Sequence, residues 1–328
     1  MLACASYVGN TAVLLKFVCL RNFLLMKNVY EQVDSNKRKS WLVMAGFTLF
    51  VAGFAYVLGV ASGYGLSWIG WALVISGIMS YVSYYYSDKI ILTLSGAREA
   101  DRKRDFNFYT VAENLAMAAG LPKPKLYVIE DTAMNAFATG RDPSHAVVCA
   151  TTGLLAQLNR TELEGVIGHE LSHVGNYDMR LMSIVTVMVG LVTLLADWFL
   201  RFSFWGGRRR NNDREAGQLG AVMMIAGMIL ALLSPLIAQL IQLAISRRRE
   251  FLADASSVKL TRYPNGLIRA LEKLGADREP LEAANKATAH LYIVNPLRNT
   301  HSGIGWFASL FNTHPPLKDR IAALKAMS

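Results

Sequence analysis

The sequence predicts a mainly α integral membrane protein: about four membrane helices together with an α+β part that carries a small β-sheet. Three observations predict it. Hydrophobic residues make up 53% of the 328 and charged residues only 18%, where a soluble domain carries roughly 25% charged. Four stretches stay apolar over the ~20 residues needed to cross a bilayer's hydrocarbon core. The segments between and after them hold most of the charge and show strand and helix signals of their own. The apolar content excludes a disordered chain. Three cysteines (Cys4, Cys19 and Cys149) are too few for a disulfide scaffold, and Cys149 reads as a small buried hydrophobe.

The elements follow in chain order. Residues 1–25 are mostly apolar but broken by Asn10, Lys16, Arg21 and Asn22. They lack the basic start and small-residue cleavage site of a signal peptide. They are expected to be an upstream extension, with Met26 a plausible true start; a fifth span is the alternative. Residues 26–40 hold Lys37-Arg38-Lys39 and read as a basic cytoplasmic flank. Residues 41–86 read as a membrane hairpin. Trp41–Val60 and Tyr64–Tyr86 carry no charge and meet at a short Gly/Ser turn. Trp68, Trp71, Tyr81, Tyr84, Tyr85 and Tyr86 sit toward the ends of the second run, as in an aromatic belt.

Residues 87–179 are soluble in character. Arg98–Gly120 is expected to be an amphipathic helix ended by Gly120 and Pro122. Lys125–Glu130 is expected to be a strand. Asn135–Thr139 and Ala146–Ala150 are expected to pair across the turn at 140–144, and a short helix begins at Thr151. Residues 180–246 hold two further apolar runs. Leu181–Leu200 is interrupted only by Asp197, and Leu219–Ser246 is uncharged. The link between them carries five Arg against two acids over Arg201–Glu215. That is unfavourable for a translocated loop, so this pair can be a hairpin that stops short of crossing. Residues 247–328 return to soluble character.

The net charge of +10 sits mainly in clusters beside the apolar runs, where basic residues anchor a span and meet anionic lipid. No nucleic-acid-binding pattern accompanies them.

The strongest chemical signal is Gly168-His-Glu-Leu-Ser-His173. Residues four apart share a helix face, so His169 and His173 can hold one Zn²⁺. Glu170 lies beside that face and can take a proton from metal-bound water. Thr161 and Glu164 are expected to form a capping box for this helix, with Asn159 as a loop residue before it. The bland alternative is a pair of structural histidines. Downstream, Ser246-Arg-Arg-Arg-Glu250-Phe-Leu-Ala-Asp254 offers Glu250 as the third ligand that a catalytic zinc requires. Asp254, one turn on, can accept the N–H of a zinc-bound histidine. The alternative is that both acids pair with Arg247–Arg249 on a solvated helix.

Taken together, these motifs resemble the HtpX family of membrane zinc metalloproteases, kin to the CAAX prenyl endopeptidases. The resemblance runs from about residue 26 to the end. It rests on Asn135-Ala-Phe-Ala-Thr-Gly140, Gly168–Asp178, Ser246–Asp254 and Thr313-His-Pro-Pro-Leu-Lys-Asp-Arg320. It implies a gluzincin-type catalytic domain on the cytoplasmic face of a bacterial inner membrane, with one Zn²⁺ per chain. The ligands would be His169, His173 and Glu250, and the base Glu170. It also implies degradation of damaged or misfolded membrane proteins in protein quality control and stress response.

The oxyanion needs donors beyond the metal. His314 and Arg320 are the candidates; a surface loop leading into an amphipathic helix is the alternative. An exposed edge at Asn135, Ala136, Phe137 and Ala138 can add an extended substrate strand, or the segment is an ordinary hairpin strand. The competing function classes are a metal-binding membrane transporter and a non-catalytic membrane scaffold.

Overall fold

The computed structural model describes residues 29–61, 67–206, 247–283, 288–294 and 315–327. Helices α1 (Val29–Ala61) and α2 (Ser67–Leu94) form an antiparallel pair. Trp41 stacks on Tyr84 with ring centroids 6.1 Å apart, and the hydroxyls of Thr48 and Ser80 lie 3.4 Å apart. Next come β1 (Arg98–Glu99), α3 (Phe106–Ala118), β2 (Lys125–Ile129), β3 (Ala136–Thr139), β4 (Val147–Thr151) and α4 (Thr152–Gln157). After these lie α5 (Arg160–Gly175), α6 (Asp178–Gly206), α7 (Arg247–Thr261), α8 (Pro264–Ala276) and α9 (Leu317–Lys325). The architecture is mainly helical around one small mixed sheet.

The sheet has the order β1-β2-β4-β3, with β2 and β4 parallel and the outer pairs antiparallel. Side chains alternate across a strand with period two, and here each set enters a different core. Leu126, Val128, Ala136, Ala138, Val148 and Ala150 pack with α3, α5 and α8. Ile129, Phe137, Val147 and Cys149 pack with Ile91 and Leu92 of α2 and Leu181 and Val185 of α6. A strand covered on both faces is apolar throughout, which is why β4 reads Val-Val-Cys-Ala.

The strand pair expected at 135–139 and 146–150 is present, with Ala136 opposite Ala150. The strand at Lys125 is present too, and Thr151 caps α4. The helix expected from Arg98 begins only at Phe106. Arg98 instead pairs with Val128 in the sheet. Its guanidinium is held by Asp105 at 2.9 Å and Glu130 at 2.6 Å. The Asp101 carboxylate accepts the N–H groups of Lys103 and Arg104. These local carboxylate bonds favour a turn over a helix. Gly120, at φ +66°, ends α3 as expected.

Among the described residues, no helix is long and apolar enough to cross a membrane. The runs expected to span at 41–60, 64–86 and 181–200 fall on α1, α2 and α6, and each continues into positions whose side chains are not described. Residues 1–25 and the run 219–246 lie outside the described residues.

Close approach of α5, α7 and α8 depends on missing side chains. A Cβ on Gly165 would stand 2.7 Å from the backbone nitrogen of Leu267, and one on Gly168 would stand 2.8 Å from the Ser257 hydroxyl. That hydroxyl donates to the Gly165 carbonyl at 2.7 Å, joining α7 to α5. Gly168→Ala is therefore expected to destabilise the protein by about 1–3 kcal/mol, read by thermal unfolding. Gly168→Ala combined with Ser257→Ala should cost less than the sum of the two single changes. Additive losses would show that this contact does not set the spacing.

Candidate metal centre

Helix α5 starts at a capping box made by Asn159 and Glu162, not by Thr161 and Glu164 as the sequence suggested. The Asn159 side chain accepts the Glu162 N–H at 3.0 Å, and the Glu162 carboxylate accepts the Asn159 N–H at 2.9 Å. Asn outranks Thr as an N-cap, and Lys273 of α8 fixes Glu162 from outside at 2.7 Å. The helix so anchored carries His169 and His173 one turn apart, both buried.

The two Nε2 atoms lie 3.2 Å apart. Glu250, in the first turn of α7, brings its carboxylate to 3.7 Å from His169 Nε2 and 3.6 Å from His173 Nε2. One ligand atom from each residue falls within 4.8 Å of the others. Behind them, His169 Nδ1 meets Asp254 at 2.9 Å and His173 Nδ1 meets Asp178 at 3.3 Å. Each imidazole thus donates its Nδ1–H backward and turns the Nε2 lone pair toward the other ligands. Two lone pairs and a carboxylate facing one point, out of water, require a cation. These donors fit a metal ion of the zinc type.

The electrostatics agree. Burial disfavours the charged form of His173, but its bond to Asp178 and the field of Glu250 outweigh that, and its pKa is pushed up to about 9. His169 moves the other way, lowered by burial and then by Arg320. Burial works against ionised Asp254 as well, but Arg320 holds its carboxyl down to about 2.

Arg320, expected as an oxyanion donor, is fully buried. Its Nε and Nη2 clamp Asp254 at 2.9 and 2.6 Å, and Nη1 gives a bond to the Ile293 carbonyl at 3.3 Å. Glu250 is 3.8 Å away. The guanidinium therefore stands behind His169 and Glu250 as the counter-charge of Asp254. His314 lies outside the described residues.

The edge of β3 is not exposed. Asn135, Ala136, Phe137 and Ala138 are all buried. The Ile293 N–H donates to the Ala136 carbonyl at 3.0 Å, and the Asn135 amide donates to the Val294 carbonyl at 2.9 Å. At its other end, Ser183 of α6 bonds Thr139 and the Gly140 N–H. The chain's own segments cover the edge expected to receive substrate. Pairing between residues so distant in sequence leaves no local signal.

Glu170 is buried beside this group, and its field acts on both His173 and Arg320. A helix-borne His-Glu-x-x-His, with Glu170 buried and a glutamate from a second helix beside it, fits a metal-dependent peptidase. The sequence comparisons agree. Residues 102–328 match Peptidase family M48. A protein named Protease HtpX homolog from Dictyoglomus turgidum is 45% identical over 300 residues, covering 91% of this chain and 94% of its own. One of the same name from Streptococcus uberis is 43% identical over 306 residues, covering 91% and 100%. The crystal structure of S. mikatae Ste24p superposes with a TM-score of 0.47 at 21% identity, over 87% of this chain and 66% of that one. The chain belongs to the HtpX proteases of peptidase family M48, and it is a metalloprotease.

Arg320→Met should leave buried Asp254 without its counter-charge and destabilise by about 3–5 kcal/mol. Adding Asp254→Asn should return part of that loss. Chemical unfolding of the purified variants measures both, and equal instability of single and double variants would remove Arg320 as the counter-charge.

Proposed function

We propose that the chain is a membrane-embedded zinc endopeptidase that hydrolyses peptide bonds of misfolded or damaged membrane proteins at the cytoplasmic face of a bacterial inner membrane. The observation that carries the reading is the convergence of His169, His173 and Glu250 with Glu170 beside them. Three protein ligands leave a coordination position for water, the pattern of catalytic rather than structural zinc. When bound, the ion would polarise the scissile carbonyl and bring the pKa of its water toward ~7. Glu170 takes the water's proton and returns it to the leaving amine. Asp254 and Asp178 hold the two imidazoles in register through their Nδ1–H groups. His314 is the proposed donor to the oxyanion.

The membrane reading is supported by an inverted helix. Ser76, Ser83 and Ser87 of α2 are buried, while Trp71, Leu73, Val74, Ile75, Ile78, Tyr81 and Tyr85 face outward. In water that face is an exposed apolar patch of unusual extent; in lipid it is satisfied. Sidedness is supported by the basic flank. Asn36 of α1 lies within two hydrogen bonds of His173, so the metal centre sits at the level of Lys37-Arg38-Lys39. Such clusters stay on the cytoplasmic side.

Zinc-dependent, chelator-sensitive cleavage of casein by the purified protein tests the activity. Glu170→Gln should keep zinc and lose about 10²–10⁴ in kcat, whereas His169→Ala and Glu250→Ala should lose zinc too. Full zinc loss in Glu170→Gln would mean that the roles are misassigned. A cysteine at exposed Lys103 should be labelled by an impermeant reagent only from the cytoplasmic side; labelling from outside would overturn the topology.

A further inference from the structure

The N-terminal turns of α1 belong to the metal centre. We infer that Asn36, on the helix that leads into the first apolar run, is a positioning residue for His173, acting through Asp178 and Arg249.

The geometry starts at the corner between α5 and α6. His173 lies near the end of α5 and Asp178 opens α6, so the carboxylate must be turned back on the helix that precedes it. Tyr177 makes that turn with φ +59°, a left-handed conformation that costs a residue with a Cβ roughly 1–2 kcal/mol. Something must hold the corner in place. Asn36 does so with both ends of its amide. Its Nδ2 donates to the Asn176 carbonyl at 2.9 Å and to Asp178 Oδ1 at 2.7 Å. Its Oδ1 accepts from Arg249 Nη1 at 3.2 Å, and the same Nη1 reaches Asp178 Oδ1 at 2.7 Å. One side of α1 is therefore bonded to the residues flanking the strained tyrosine. Lys37 adds a cation 4.6 Å from the centre of the Tyr177 ring.

The division of labour on Asp178 follows. Oδ1 takes Asn36 and Arg249, and Oδ2 is left for His173 Nδ1 at 3.3 Å. Asn36 is 2% exposed, and a buried amide with all its groups engaged locks a geometry more tightly than packing alone. Arg249 precedes the ligand Glu250, so the same network ties α1 to the third ligand's helix.

The inference rests on the metal reading above, and the parent's own zinc binding, measured alongside, tests that reading separately. Asn36→Asp keeps the shape but replaces the donor with an acid facing Asp178. Measured on the full chain, it should weaken Zn²⁺ binding about 10- to 100-fold in a competition against a chelator. With zinc saturating, kcat should fall while KM holds. Asn36→Ala should move the same way. Thr48→Val, which removes a bond to Ser80 elsewhere between α1 and α2, should leave zinc affinity and kcat unchanged. Adding Asp178→Asn to Asn36→Asp exchanges acid and amide, so the pair can bond again; the double variant should bind Zn²⁺ more tightly than Asn36→Asp alone. Zinc binding by Asn36→Asp indistinguishable from the parent's would overturn the inference, as would losses in the double variant that simply add.

Discussion

The helices that meet at the metal centre answer to one constraint: lone pairs and charges taken out of water must be answered by partners. Two imidazole Nε2 atoms and the Glu250 carboxylate face each other in a buried space. That arrangement is stable only around a positive centre. The imidazoles can be aimed that way because Asp254 and Asp178 hold their opposite edges. Those carboxylates are buried too, and each is answered by an arginine, Arg320 for Asp254 and Arg249 for Asp178. The charges form nested layers: a cation site, its ligands, the acids behind them, and the guanidinium groups behind the acids. Removing an outer layer leaves an inner charge uncompensated, so the cost grows with burial rather than with distance from the reaction.

The layers explain why the site draws on five helices, with Asp178 coming from the start of α6. Helix α5 carries His169, His173 and Glu170. Helix α7 carries Glu250, Asp254 and Arg249. Arg320 comes from α9 and Asn36 from α1. Small residues let these helices meet: Gly168 admits Ser257, and Gly165 admits the backbone of α8. The sheet beneath is a platform, buried on both faces, with its edge strand β3 closed by Ile293 and Val294 at one end and Ser183 at the other.

The inner layer was legible in the sequence, because His169, Glu170 and His173 lie on one helical turn and period 3.6 puts them on one face. Glu250 and Asp254 were legible for the same reason, once a missing ligand was sought. The strands were legible from their apolar runs and the turn at residues 140–144. The outer layer was not. Asn36 and Asp178 are 142 positions apart, and nothing local marks either as a partner. The cationic character of Arg320 was visible, but not its side of the ligands. That depends on Asp254, 66 residues earlier. Arg98 was misread as helical because its partners Asp105 and Glu130 act at a distance, and Asn159 was passed over as a cap because Thr161 offered the same spacing.

X-ray absorption at the zinc edge of the loaded, purified protein tests the central claim most directly. A single zinc per chain is expected, with two imidazole nitrogens at about 2.0–2.1 Å and oxygen donors at about 2.0–2.2 Å. A sulfur donor at about 2.3 Å, or fewer than two imidazoles, would show that the ion sits elsewhere and would contradict the account.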